Sequence, residues 1–128
     1  MTIAKIVKLD RVCRSIMNAD RNVRSVAILD KKRRLIHSES RRGFAQPDLD
    51  KCNDSHYMEC TFDISMGRKF DDLYGPIRYH HSIKDDFIMF SFPYDENVII
   101  TTSTKKISPI SFATKIAILI NNHFKNTK

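Results

Sequence analysis

The sequence is poor in residues that mark several common folds and binding sites. It contains no tryptophan, three glycines and three cysteines among 128 residues. The scattered glycines Gly43, Gly67 and Gly75 form neither a dinucleotide-binding fingerprint nor a phosphate-binding loop. An odd number of cysteines does not form a complete disulfide framework. The common nucleotide-binding motifs and a disulfide-stapled fold are therefore excluded, and we expect no cofactor.

Long apolar runs are absent as well. The longest, Phe87–Phe90 and Ile116–Ile120, are far shorter than the roughly 18 residues that a membrane-spanning helix needs. Residues 1–8 alternate lysine with apolar side chains and contain no signal-peptide core. We therefore expect a cytoplasmic protein without a membrane partner.

The charge is positive and unevenly distributed. Lys and Arg number 22 against 15 Asp and Glu, which gives a formal net charge of +7. Residues 21–42 hold eight basic and two acidic residues, so most of the excess lies in this segment. Such a basic field attracts nucleic acid, anionic lipid or an acidic protein, although a solvated hairpin has the same composition. The candidate nucleic-acid contacts are Lys31, Lys32, Arg33 and Arg34.

The first forty residues predict a helix followed by a hairpin. Apolar residues at spacings of three and four predict an amphipathic helix over residues 3–18. β-branched residues without Gly or Pro predict a strand at Val23–Leu29, and alternation predicts a second strand at Leu35–Ser40. The basic residues lie at the tip between them. The predicted core face of the helix is Ile3, Ile6, Val7, Cys13, Ile16 and Met17.

The middle of the chain predicts one long helix. Asp48 is a suitable N-cap for a helix over Leu49–Tyr74. Gly75 and Pro76 then end it, because glycine is favoured just after a helix and proline cannot continue one.

The last third predicts three strands and a helix. The apolar period changes to two, with short polar turns between the segments. The middle strand is apolar on both faces, so we place it inside the sheet and covered by helices on at least one side. A serine and a proline at 108–109 begin the final helix, which runs to about Lys125. The predicted strands are Ile77–Ile83, Phe87–Phe92 and Val98–Thr102, and the core-facing helix residues are Ala113, Ile116, Ala117, Ile120 and Phe124.

The element order α-β-β-α-β-β-β-α predicts an α+β fold. Short turns join strands 1 and 2 and strands 3 to 5, so the five-stranded sheet is antiparallel and flanked by helices. No internal repeat or linker divides the chain, which predicts a single domain over residues 1–128.

This order resembles the Roadblock/dynein-light-chain superfamily, which has a profilin-like fold. The sequence is also similar to a family of small proteins from ammonia-oxidising archaea. That family usually has Gly in the first hairpin turn, where this chain has Lys31, Lys32 and Arg33. The stretches that carry the similarity are Val23–Asp30 with Arg34–Ile36, Arg68–Gly75 and Asp86–Pro93.

The Roadblock resemblance implies a non-enzymatic protein-interaction module. Members of that superfamily form homodimers or heterodimers and serve as platforms or regulators of small Ras-like GTPases. Their dimer commonly uses the second helix and the following edge strand, which correspond here to Leu49–Tyr74 and Ile77–Ile83. An edge strand also has free N–H and C=O groups for pairing. The interface candidates are Tyr57, Phe62, Met66, Phe70, Ile77, Tyr79 and His81.

One metal-ligand pattern needs consideration. Cys52, His56 and Cys60 are spaced by four, which aligns them on one helical face. Zinc needs a fourth ligand, and the same three residues also suit a small stripe packed on the sheet. Adjacent strand residues point to opposite faces, so His80 and His81 do not both bind one ion. The candidate fourth ligands are Cys13, His37, His80 and His81.

Catalytic motifs are missing. The serines and histidines have no nucleophile elbow or comparable context. The acidic pairs at 71–72 and 85–86 suit a helix end and a turn, so we predict no catalytic residues and no enzyme activity. Two alternatives to an interaction module remain. One is a weak nucleic-acid-binding protein that uses the basic hairpin residues 31–34, and the other is a small-molecule sensor with an enclosed apolar cavity.

Overall fold

A computed structural model describes residues 2–42 and 71–125 of the chain. Its elements follow the predicted α-β-β-α-β-β-β-α order. Of the predicted second helix, only the last turn lies among the described residues, and it ends as expected: Gly75 follows at φ +84°, and its N–H donates to the carbonyl of Asp71 (2.8 Å). The elements are α1 (Ile3–Ala19), β1 (Val23–Leu29), β2 (Leu35–Ser40), α2 (Asp71–Tyr74), β3 (His80–Ile83), β4 (Ile88–Tyr94), β5 (Asn97–Ser103) and α3 (Pro109–Lys125).

The five strands form one antiparallel sheet in the order β2-β1-β5-β4-β3. The last strand along the chain is central, because Ile99 pairs with Ile28 of β1 on one side and with Phe92 of β4 on the other. The two edges are therefore β2 and β3, which leaves two surfaces where another chain could add a strand.

Strand β4 has the position that its composition predicts. It lies between β5 and β3, and five consecutive side chains from Ile88 to Phe92 are buried. Phe90 and Phe92 point to the face that carries the large aromatic core, and Met89 points to the other face with Ile100. Apolar residues on both faces thus mark an interior strand.

Helices α1 and α3 pack together on one face of the sheet. Each has 17 residues, and no helix within the described ranges is long and apolar enough to span a membrane. Their buried residues recur at spacings of three and four, which is the period of a helix face. These residues are Leu9, Val12, Cys13 and Ile16 on α1, and Phe112, Ala113, Ile116 and Ile120 on α3. The side chain of Phe124, also predicted to face the core, lies outside the described part of the chain.

The core face predicted for α1 is wrong in its first two turns. Ile3, Ile6 and Val7 are exposed, whereas Leu9 and Val12 are buried in their place. The apolar period continues towards the N-terminus, but only the later turns of α1 form the buried core cluster with the strands. Apolar periodicity identifies which face of a helix is buried, but it does not reveal how far along the helix the rest of the protein covers that face.

Strand β3 is shorter than predicted, since it begins at His80 and not at Ile77. In the β3–β4 ladder, the Lys84 N–H donates to the carbonyl of Phe87 (2.9 Å). From this pair onwards, residue pairs that exchange hydrogen bonds alternate with pairs that do not. By this alternation, the next β4 residue after Ser91 whose backbone N–H would point towards β3 is Pro93. Proline has no N–H, so the ladder ends there and Ile77 precedes the strand.

The β1–β2 turn is built around one aspartate. Asp30 Oδ1 accepts from the N–H groups of Lys32 and Arg34, both at 2.9 Å, and Oδ2 accepts from Arg34 Nε at 2.8 Å. The hydrogen bond from the Arg34 N–H is the largest cause that lowers the pKa of Asp30. Arg33 takes φ +65°, a left-handed conformation that favours glycine.

We therefore expect Arg33→Gly to stabilise the protein. The left-handed conformation costs a non-glycine residue roughly 1–2 kcal/mol, and the added freedom of glycine in the unfolded chain offsets about 0.5–1 kcal/mol of that. Chemical denaturation should show an increase of up to about 1 kcal/mol in the free energy of unfolding. Lys32→Gly is the matched control, because Lys32 has no positive φ and should lose stability. Equal losses in both variants would contradict the strained turn.

Candidate functional site

The outer edge of β3, with which no strand pairs among the described residues, is the first candidate site. Because Lys84 bonds to Phe87, the register places Ser82 and His80 in the pairs that exchange hydrogen bonds with β4. The backbone groups of His81 and Ile83 therefore point away from the sheet. Both side chains are exposed, and Ile83 retains 60% of its accessible surface. This edge can accept a further strand.

A row of rings supports this edge. The ring centroids of Tyr79 and His81 lie 5.8 Å apart, and those of His81 and Phe90 lie 5.9 Å apart. Phe90 in turn packs against Phe92 at 6.2 Å and Phe112 at 4.9 Å. The exposed imidazole is thus connected to the buried aromatic core, which holds the edge strand in place.

The predicted interface residues take different positions in the structure. Ile77 is half-buried against the core cluster that contains Met89, and Tyr79 is half-buried against the larger cluster. His81 is exposed, and so is Ile83, which lies in the predicted interface segment but was not among the individually named candidates. The other interface candidates, Tyr57, Phe62, Met66 and Phe70, lie outside the described residues.

A groove adjoins this edge. It has a volume of about 510 Å³ and lies between the segment that leads into β3, the end of β4 and α3. It is open to solvent, so it differs from the enclosed apolar cavity expected of a small-molecule sensor. Its lining includes Tyr79, Phe92, Pro93, Ala117 and Ile118.

The basic hairpin tip is partly neutralised. Arg34 forms an ion pair with Asp30 at 2.8 Å, and Lys31 Nζ lies 3.7 Å from Glu96 Oε2. Lys32 and Arg33 are exposed, and no ion pair to either is found within the described part of the chain. The tip therefore offers fewer free cations than its composition indicates.

The structure describes only the proposed fourth ligands of the predicted metal site. Cys52, His56 and Cys60 lie outside the described residues, while His80 and His81 lie on edge strand β3.

The other two proposed fourth ligands lie away from β3. His37 is on β2, the opposite edge, and Cys13 is on the buried face of α1. Burial, followed by the nearby charges of Glu39 and Asp10, raises the pKa of Cys13 to about 12, so its thiol stays protonated. The four proposed fourth ligands therefore fall into two places, with His80 and His81 at the β3 edge and His37 and Cys13 near the β2 edge.

A cluster that was not foreseen from the sequence lies near β2. His37, Glu39 and Asp10 come within 4.8 Å of one another, and Arg14 lies beside them. The alternation of His37 and Glu39 on one strand was a visible signal, but the contribution of Asp10 from α1 depends on packing.

Solved structures provide the comparison for this fold. No protein-family model matches the sequence, and no curated protein matches it. A Roadblock/LC7 domain from Streptomyces avermitilis is 13% identical, with a TM-score of 0.65 over 88% of this chain and 92% of that one. The gliding protein MglB from Thermus thermophilus is 6% identical, with a TM-score of 0.72 over 98% of this chain and 95% of that one.

Myxococcus xanthus MglB is 15% identical, with a TM-score of 0.72 over 99% of this chain and 92% of that one. At these identities, the likeness concerns the backbone arrangement alone. Together with the antiparallel sheet and its flanking helices, it shows that this chain has a Roadblock-like α+β fold.

Proposed function

We propose that this protein is a non-enzymatic interaction module that self-associates through β3 and acts as a platform or regulator for a small Ras-like GTPase. The observation that carries the proposal is the outer edge of β3, where His81 and Ile83 direct backbone groups outwards. The GTPase partner follows from the Roadblock resemblance. The proposal also treats residues 1–128 as one domain of a cytoplasmic, archaeal-type protein.

Strand addition explains how this edge would work. Two copies related by a two-fold axis beside Ser82 would place His81 of one copy opposite Ile83 of the other. Each of these pairs exchanges two backbone hydrogen bonds, so the two sheets would join into one. The exposed Ile83 side chain adds apolar surface to this contact.

Light scattering on a size-exclusion column tests self-association directly. We expect a mass about twice 14.9 kDa at both low and high salt, because backbone pairing and apolar contact depend little on ionic strength. A monomer at both salt concentrations would refute the dimer.

The variant His81→Pro tests the position of the interface. Proline removes an outward N–H without removing a bond to β4, so the fold is retained while strand addition is lost. Loss of one bond per copy should weaken the dimer at least about tenfold. His81→Ala keeps the N–H and is the matched control. A dimer of wild-type strength in His81→Pro would place the interface elsewhere.

A binding assay tests the GTPase partner. The full chain would be presented to a small Ras-like GTPase loaded with GDP or with a non-hydrolysable GTP analogue. We expect a complex that depends on the bound nucleotide, as a platform or regulator requires. If the protein dimerises but binds the GTPase in neither nucleotide state, it is an interaction module with another partner.

Nucleic-acid binding is the alternative, favoured by the exposed Lys32 and Arg33. It predicts an affinity for single-stranded RNA that falls steeply with salt, because binding releases counterions. Replacement of Lys31, Lys32, Arg33 and Arg34 by Ala would then abolish a mobility shift at low salt. If wild-type protein gives no shift, this alternative is wrong.

A further inference from the structure

A mixed cluster of one imidazole and two carboxylates lies at the β2 edge, across the sheet from β3. His37 and Glu39 are two residues apart on β2, so their side chains share a face. Asp10 comes from α1, which packs on that face. One ligand-type atom from each residue lies within 4.8 Å of the other two.

The contacts of His37 with the two carboxylates are too long for hydrogen bonds. His37 Nε2 lies 3.6 Å from Asp10 Oδ1 and 3.8 Å from Glu39 Oε1. This nitrogen is buried and has no hydrogen-bond partner among the described residues. Ligands around a tetrahedral zinc ion stand about 3.4 Å apart when the metal–ligand bonds are about 2.0–2.1 Å long. The two distances from His37 are slightly longer than this spacing, so small side-chain movements would let the three residues share an ion.

We propose that Asp10, His37 and Glu39 form a binding site for a zinc-class divalent cation. The imidazole selects a first-row transition metal over Ca²⁺ and Mg²⁺, which prefer oxygen ligands alone. Three protein ligands leave the fourth position to water.

Arg14 already pairs with both carboxylates of the cluster, so a bound ion would take the place of this positive charge. Arg14 Nε lies 3.0 Å from Asp10 Oδ2 and 3.7 Å from Glu39 Oε1, so one positive charge faces two carboxylates. The Arg14 side chain is 68% exposed, so it can swing aside without crossing the core.

Access and ligand type agree with this assignment. The side chains of His37, Glu39 and Asp10 retain 22%, 26% and 33% of their accessible surface, so an ion can enter from solvent. Cys13 is nearby, but its thiol is protonated and fully buried. The ligands are therefore nitrogen and oxygen, and the bound ion would tie α1 to an edge strand.

Zinc titration of the chelator-stripped full chain tests the site. Calorimetry and elemental analysis should show one zinc ion bound per chain at this site. The zinc affinity should be at least tenfold lower in His37→Ala and in Glu39→Gln. His123→Ala is the matched control, because His123 is a half-buried histidine whose Nε2 lies 3.0 Å from Ser15 Oγ. Each variant is checked for wild-type circular dichroism without metal, and Glu39→Gln preserves the shape of its side chain.

A second set of variants separates this site from the cysteine candidates. Zinc binding should persist in the triple variant Cys52→Ser, His56→Ala, Cys60→Ser, and cobalt-loaded protein should lack a thiolate charge-transfer band. The proposal is overturned if zinc does not bind at micromolar concentration. It is also overturned if binding survives in both His37→Ala and Glu39→Gln.

Discussion

Phe90→Ala should lower the free energy of unfolding by about 3–5 kcal/mol, the largest effect of any change that we predict. Phe90 is fully buried, and its ring contacts Phe92 and Phe112 at the junction of sheet and helix. Truncation leaves a cavity that rigid neighbours fill only in part. Small domains have stabilities of about 5–15 kcal/mol, so this loss takes a large share.

Urea denaturation at one fixed protein concentration measures this loss, since self-association would otherwise change the apparent stability. Ile110→Ala is the matched control, because Ile110 is 68% exposed and should change the stability by less than about 0.5 kcal/mol. A loss below about 1 kcal/mol in Phe90→Ala would contradict the interior position of β4.

Arg41→Ala should cost about 2–4 kcal/mol, because Arg41 closes the C-terminus of α1. Its guanidinium donates to the carbonyls of Met17 at 2.5 Å and Val23 at 2.7 Å, with a longer bond of 3.3 Å to Asp20. The last turn of α1 contains no basic residue of its own. A positive charge that bonds to these carbonyls also complements the helix dipole.

The shape of the guanidinium matters as much as its charge. Arg41→Lys should recover less than half of the loss, because one ammonium group cannot reproduce the fork that reaches Met17 and Val23. Arg42→Ala changes an exposed neighbour of equal charge and should have little effect. Thermal and urea unfolding measure all three variants. Similar losses for Arg41→Ala and Arg42→Ala would show that the bonds to α1 contribute nothing.

Local patterns predicted the secondary structure well. The bounds of β1 and β2 agree with prediction, because alternation and a polar turn are both visible within a few residues. Pro109 begins α3 as predicted, since proline suits the first turn of a helix. The predicted burial of Ile3 and the predicted start of β3 were wrong because each depends on a neighbouring element.

The candidate sites were less predictable. The sequence indicated an edge strand and named His81, but the outward direction of its backbone depends on the register with β4. The Asp10, His37 and Glu39 cluster combines a helix and a strand that are far apart along the chain. The sequence showed Arg41 only as one residue of a basic segment. Its role becomes clear only in the fold, where this part of the chain returns to α1.

The order and type of the described elements and the interior character of β4 could be read from the amino-acid sequence alone. They follow from side-chain periodicity and turn residues, whose effects extend over a few positions. The folded chain was needed to reveal that β5 is central, that β2 and β3 are the edges, and that Asp10 meets His37 and Glu39. Such contacts join distant segments, and their geometry is set by packing of the whole sheet against α1 and α3.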